Sequence, residues 1–249
     1  MIEAINVSKS FNNHEVLKNI NVKFEKGKTN LIIGQSGSGK TVLMKCLVGL
    51  FPIDKGSINF DGRPFSDISY EEKKKIRQEI GMLFQGGALF DSMNVEENVV
   101  FPLSMFTEMT NSEKIERANF CLKRVNLENV NKLFPSEISG GMKKRVAIAR
   151  AIAANPKYLF CDEPNSGLDP ATSIVIDNLI SEITQEYQIT TVINTHDMNS
   201  VIEIGDKIAF IYKGSLWWEG DKNSILHTDN KEINDFVYAT ELTRRLKGK

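Results

Sequence analysis

The run Gly34-Gln35-Ser36-Gly37-Ser38-Gly39-Lys40-Thr41 sets four residues between Gly34 and Gly39 and follows them with a lysine and a hydroxyl residue. Those types in that order suit a polyphosphate. Glycines let the backbone curl until successive N–H groups aim at phosphate oxygens, Lys40 adds a point charge, and the Thr41 hydroxyl can ligate Mg²⁺. A second constellation closes the apolar run Tyr158-Leu159-Phe160-Cys161 with Asp162 and Glu163. Successive side chains on an extended segment point opposite ways, so the two acids need not share a task. Asp162 is suited to hold Mg²⁺ beside Thr41, and Glu163 to take a proton from an attacking water.

Two more polar residues end apolar runs: Gln85 after Ile80-Gly81-Met82-Leu83-Phe84, and His196 after residues 190–195. Ligands of an open α/β sheet bind at the carboxyl ends of its strands, which sets both beside the glycine loop. Without that loop Gln85 would read as an amide closing a turn and His196 as a structural histidine; His14 and His227 have no such context. Ser139-Gly140-Gly141-Met142 is a second helix N-terminus open to anions, although Ser-Gly-Gly before a helix is also a plain cap. Asp169-Pro170 opens a further helix as N-cap and first helical residue. Phe11 is open to two readings, stacking on an adenine ring or packing.

Periodicity and punctuation supply the elements that must position these groups. Leu31-Ile32-Ile33 is a short apolar strand, and residues 41–50 put Leu43, Leu47 and Leu50 on one helical face, so the glycine loop joins a strand to a helix. Residues 2–7 and 20–24 read as strands with Phe11 on their connection, and 56–63 as a hairpin through Asp61-Gly62. Residues 71–78 form a charged, solvent-facing helix. The segment from Gly87 to Val95 is unusually apolar for a loop, and reads equally as a docking surface or as part of a local core. Ile115, Ala118 and Leu122 share a helical face, as do Val146, Ala149 and Ala153, and later Ile176, Leu179, Ile180 and Ile183. Composition thus turns helical over about residues 86–154, which predicts an inserted α-helical subdomain. A hairpin through Lys213-Gly214 and a helical tail over 223–246 end the chain.

A chain of 249 residues with a formal net charge of -1 can bury a large core and carries no electrostatic footprint for nucleic acid. Its basic tip, Arg244, Arg245, Lys247 and Lys249, reads as a solvated end. The cysteines Cys46, Cys121 and Cys161 lie far apart without metal spacing, which suits a reducing cytosol. No window reaches the roughly 18 to 20 apolar residues of a membrane span, and the N-terminus shows no leader pattern, so membrane contact is expected through a partner.

The ordered set of glycine loop, Gln85, Ser-Gly-Gly helix, Asp162-Glu163, Ser166-Gly167-Leu168-Asp169 and His196 resembles the nucleotide-binding subunit of ABC transporters over nearly the whole chain. The resemblance implies an α/β fold: a P-loop NTPase core with an antiparallel β subdomain and the inserted helical subdomain, in one domain over 1–240 before a basic tail at 241–249. It implies an ATPase with ATP and Mg²⁺ as cofactors. Gly34, Gln35, Ser36, Gly37, Ser38, Gly39, Lys40 and Thr41 would hold phosphates, and Thr41, Gln85 and Asp162 the metal. Phe11 would stack on adenine, Glu163 act as catalytic base and His196 as switch histidine. Ser139, Gly140, Gly141 and Met142 correspond to the signature sequence, with Met142 in place of its commoner Gln, and Asp169 joins the nucleotide-contacting set. Two copies would clamp two ATP molecules, each site pairing one copy's glycine loop with the other's signature helix.

Within that family, Gly87-Ala88-Leu89-Phe90, Met93-Asn94-Val95, Asn98-Val99, Phe101-Pro102-Leu103 and Met142 are similar to the corresponding stretches of Mla-type lipid-transport ATPases. This implies a transmembrane permease partner, a lipid-binding protein beyond the membrane, lipid as cargo, no nucleic acid, and a peripheral place on the cytoplasmic side of the inner membrane. Its rivals are a soluble ABC ATPase in cofactor assembly or DNA repair, and an ATP-locked binding module without turnover. Both Glu163 and His196 argue against the last.

Overall fold

A computed structural model describes residues 1–238. The chain opens with the long hairpin β1 (Ile2–Phe11) and β2 (His14–Phe24), turning at Asn12-Asn13, both at positive φ as a tight two-residue turn requires. The sequence predicts shorter strands here, with Phe11 between them. Phe11 instead ends β1, paired with His14. Register shifts along the hairpin, with Asn6 and Asn19 at φ 51° and 50°, break the alternation that would have disclosed its length.

The chain continues through β3 (Thr29–Ile33), α1 (Lys40–Leu47), β4 (Lys55–Phe60), β5 (Arg63–Pro64), α2 (Tyr70–Gln78) and β6 (Ile80–Leu83). Next come α3 (Val95–Phe106), α4 (Asn111–Arg124), α5 (Gly140–Ile152), β7 (Tyr158–Asp162), α6 (Pro170–Glu186), β8 (Thr190–Asn194) and α7 (Met198–Ile204). The described residues end with β9 (Lys207–Tyr212), β10 (Ser215–Gly220) and α8 (Lys231–Val237).

Among the described residues two sheets form. One is antiparallel, in the order β2-β1-β4-β5; the other runs β10-β9-β3-β8-β7-β6, parallel throughout except for β10. The apolar runs of its central strands follow from burial on both faces. Ile32, Tyr158, Phe160, Val192 and Ile211 face the core shared with α1 and the antiparallel sheet, whereas Leu31, Leu159, Cys161, Ile193 and Phe210 face the helices on the other side. The strand period of two thus glues three layers together.

Three expectations need correction. Helix α1 stops at Leu47 because Gly49 turns left-handed at φ 74°, and Leu50 is left 56% exposed. On α4 the buried stripe runs through Ala118, Cys121, Leu122 and Val125, and Ile115 stands exposed. The tail is not one helix: a 3₁₀ turn at Ser224–Leu226 precedes α8, which restarts where the Asn230 side chain accepts the Ile233 N–H. The basic tip lies outside the described residues. Among those described, no helix is long and apolar enough to cross a membrane. All three cysteines are buried and unpaired, and burial pushes the Cys46 and Cys121 thiols up to about 11.

Candidate functional site

The carboxyl ends of β3, β6, β7 and β8 open into one cleft of about 1190 Å³. The loop after β3 lines it from Gly34 to Thr41, apart from Ser38, which turns its hydroxyl inward. Gly39 sits at φ 109°, and a Cβ there would come within 3.0 Å of the Leu17 side chain and 3.1 Å of the Val16 carbonyl. Only glycine fits. Lys40 is buried and donates from Nζ to the carbonyls of Gly34 and Gln35 at 2.8 and 3.1 Å. Burial lowers its pKa, opposed by the charges of Glu163 and Asp162.

Glu163, directly after β7, takes the left-handed conformation at φ 49° and donates its N–H to the Asn194 carbonyl at 2.9 Å. This turn aims its carboxylate into the cleft, where His196 Nδ1 lies 2.9 Å from Oε1. Gln85 reaches the same cleft from β6, with Nε2 3.5 Å from Ser166 Oγ. Asp162 approaches through a residue that the sequence reading passes over. Asn194, wholly buried at the end of β8, donates from Nδ2 to Asp162 Oδ1 at 2.6 Å and to Thr41 Oγ1 at 3.1 Å. Its one sequence signal is an amide in an otherwise apolar and β-branched strand.

The fold therefore brings together the glycine loop, Gln85, Asp162, Glu163 and His196. It does not bring Ser139, Gly140, Gly141, Met142 or Asp169 to the cleft of the same chain. Ser139 caps α5 by accepting the Met142 N–H at 3.2 Å, and Asp169 caps α6 by accepting from Thr172. Gly141 is required where these helix starts meet, since a Cβ would lie 2.8 Å from the Thr172 methyl. Phe11 also lies off the cleft lining, packed edge-on against Phe51 at 5.3 Å, although Val16 of its hairpin partner lines the cleft.

Comparison with known proteins identifies the family. The family model described as ABC transporter matches residues 17–166. The chain belongs to the ABC transporter family. It is 39% identical over 243 residues to the methionine import ATP-binding protein MetN of Clostridium tetani, covering 97% of this chain and 76% of that protein. It is 36% identical over 236 residues to the probable ribonucleotide transport ATP-binding protein mkl of Mycobacterium leprae, covering 95% and 68%. The dimeric post-hydrolysis structure of the ATP-binding cassette MJ0796 with ADP and Pi superposes with a TM-score of 0.81 at 33% identity, over 89% of this chain and 99% of that one. CbiO1 of Clostridium perfringens, part of the ABC transporter complex cbiONQ, gives 0.85 at 29% identity, over 99% and 98%.

The protein is thus an ATPase of the ABC class, the nucleotide-binding subunit of a transporter. In this ABC ATPase helix α5 also grips the Gln85 loop. Lys144 on α5, buried and with its pKa lowered by that burial, donates to the Gln85 carbonyl. Arg150, six residues further along, donates to the carbonyls of Gly87 and Ala88 at 2.7 and 2.8 Å. Neither residue announces this role in sequence, because a lysine and an arginine on a helix read as ordinary surface charge. Met142 packs against the helical core. The apolar loop divides between its two readings: Leu89 packs inward, while Phe90 is 41% exposed against Phe101. Buried Asn98 fixes it, accepting the Phe90 N–H at 2.8 Å and donating to the carbonyls of Phe90, Met93 and Asn94.

Proposed function

We propose that this ABC ATPase drives a membrane permease that moves lipid, in particular phospholipid, and that two copies close around two ATP molecules to do so. The gathering of Lys40, Thr41, Gln85, Glu163 and His196 in one cleft carries the ATPase half of this reading. The loop N–H groups and Lys40 bind the phosphates, Lys40 exchanging the Gly34 and Gln35 carbonyls for phosphate oxygens. Thr41, Asp162 and Gln85 are hard oxygen donors of the kind Mg²⁺ takes, and bound Mg²⁺ supplies neutralisation of phosphate charge. Glu163 accepts the proton of the attacking water, and His196 steadies its carboxylate and meets the terminal phosphate. Phe11 extends the site toward the adenine.

Ser139, Gly140, Gly141, Met142 and Asp169, which stand away from their own chain's cleft, complete the cleft of the second copy. The MJ0796 structures, which are dimers, support a pairing of two copies. In this reading residues 1–240 form the nucleotide-binding domain, and the inserted helical subdomain, about 86–154, carries the signature to the other copy. An apolar groove lined by Val48, Leu50, Ile80, Met82 and Phe84, with Arg77 at its edge, lies beside the Gln85 loop and receives the permease. Phe90, 41% exposed on the loop beyond Gln85, offers the permease a further apolar side chain. The protein then sits peripherally on the cytoplasmic side of the membrane.

The lipid cargo rests on the Mla-like stretches around Leu89, Asn94, Phe101 and Met142, and it brings a lipid-binding protein beyond the membrane as a further partner. Methionine import is the second reading, supported by the relative that is 39% identical. Isolation of the native complex from membranes, with identification of its subunits and bound small molecules, separates them. Co-isolated phospholipid with a permease supports the first; bound methionine supports the second. A complex without any membrane protein overturns both in favour of a role in cofactor assembly.

A further inference from the structure

We propose that Asn194 is a positioning residue for Mg²⁺, setting the separation between the Thr41 hydroxyl and the Asp162 carboxylate before the ion arrives. The inference rests on the nucleotide and Mg²⁺ reading of the cleft. Thr41 lies in the first turn of α1 and Asp162 ends β7, so no shared backbone holds them together. Asn194 lies between them in the sheet, because β8 pairs with β3 on one side and β7 on the other. One side-chain amide nitrogen reaches both, at 3.1 Å to Thr41 Oγ1 and 2.6 Å to Asp162 Oδ1. The main chain of the same residue accepts the Glu163 N–H at 2.9 Å.

The amide orientation is dictated by chemistry. A carboxylate only accepts, so the NH₂ group must face Asp162, and Oδ1 must face away. Oδ1 is then buried without a hydrogen-bond partner in a residue that is 0% exposed. An unsatisfied buried acceptor is costly, and the preceding residues, Val192 and Ile193, show that an apolar side chain suits this strand. What Asn194 offers in return is a neutral pair of donors. They fix Asp162 and Thr41 without cancelling the carboxylate charge, and leave Asp162 Oδ2 and a second lone pair on Thr41 for the ion or its waters. Mg²⁺ demands near-ideal octahedral geometry, so donors preset at one separation bind it better than donors that must be gathered.

The test uses the full chain and a fluorescent ADP analogue, with Mg²⁺ titrated in from chelator and binding read directly. Asn194→Val removes both donors and keeps a strand-forming side chain. Loss of an outer partner to metal ligands typically costs about 10- to 100-fold in metal affinity. The Mg²⁺ midpoint is therefore expected to rise by about that factor, while affinity for the metal-free nucleotide stays at the wild-type value. Asn194→Ser, too short to span both groups, repeats the measurement if the valine variant does not fold. An unchanged Mg²⁺ midpoint in a folded variant overturns the inference and leaves Asn194 a sheet-packing residue. If wild-type ADP binding itself ignores Mg²⁺, the reading of the cleft fails and this inference falls with it.

Discussion

Glu163 and His196, 33 residues apart in the chain, meet with Nδ1 2.9 Å from Oε1 at the edge of the central sheet. The contact depends on two neighbouring strands ending level. β7 and β8 pair in register up to Asp162 and Asn194, so the residues that follow each strand leave the sheet side by side. Glu163 adopts a left-handed backbone that a non-glycine residue rarely takes, at a typical cost of about 1–3 kcal/mol. Its N–H bond to Asn194 and its carboxylate bond to His196 hold that conformation.

Glu163→Gln keeps the shape of the pair and removes the proposed base. Loss of a general base costs about 10²- to 10⁴-fold in rate. ATP binding should persist, turnover should collapse, and the variant should accumulate as an ATP-bound dimer. Phosphate release and size-exclusion chromatography read the two effects; wild-type turnover would refute the assignment.

Lys144→Met takes away the donor to the Gln85 carbonyl and spares the two bonds from Arg150. A hydrogen bond from a charged group is worth about 1.5–3 kcal/mol, enough to slow turnover by about tenfold if Gln85 must be held in place. Because burial disfavours the ammonium, folding stability should not fall with it. Steady-state kinetics beside ADP titration separates a slower turnover from weaker binding. Equal turnover in the variant and wild type would show that Arg150 alone holds the loop.

Asn98→Ala strips the apolar loop of its internal scaffold and leaves the Phe90 N–H and three carbonyls without that partner. Losing these part-buried hydrogen bonds together costs about 1–3 kcal/mol. Urea unfolding should show that loss, and limited proteolysis should cut near residues 87–94 sooner than in the wild type.

Asp177 on α6 is 2% exposed, and burial pushes its carboxyl up from 3.8 to about 6, with Ser200 and Asn165 partly opposing the rise. Its Oδ1 has no hydrogen-bond partner. Between those two values the folded state binds more protons than the unfolded one, so ionisation of this carboxyl destabilises the protein as pH rises through that window. Asp177→Asn should therefore raise the unfolding midpoint above pH 6, by up to about 3 kcal/mol, and make no difference below about pH 4. Parallel unfolding curves from pH 4 to 8 check this. A variant less stable than wild type at pH 8 would show that the carboxylate is held by its neighbours rather than penalised.

Asp177 also shows where sequence reading stops. An acid among Ile176, Leu179 and Ile180 looks like the solvent side of an amphipathic helix, but α6 is covered there by α7, whose Ser200 bonds Asn165. Lys144 is hidden in the same way, since helical spacing states which residues share a face and not which element covers it. The hairpin lengths and the end of α1 were misread for a local reason: asparagines and a glycine at positive φ interrupt a pattern without ending the element, or end it sooner than the apolar spacing suggests.

By itself the sequence determined the chemistry on offer and its order along the chain. The glycine loop, the paired acids after an apolar strand, Gln85 and His196 are local patterns, each set by backbone geometry within a few residues. It also determined the layered α/β architecture, because strand and helix periods are written into the side chains. Only the tertiary structure decided that Asn194 joins Thr41 to Asp162, that Lys144 and Arg150 on α5 grip the Gln85 loop, and that Ser139 to Met142 stay out of their own chain's cleft. These relations depend on which strands pair and in what register, and that is settled by packing between residues far apart in the chain.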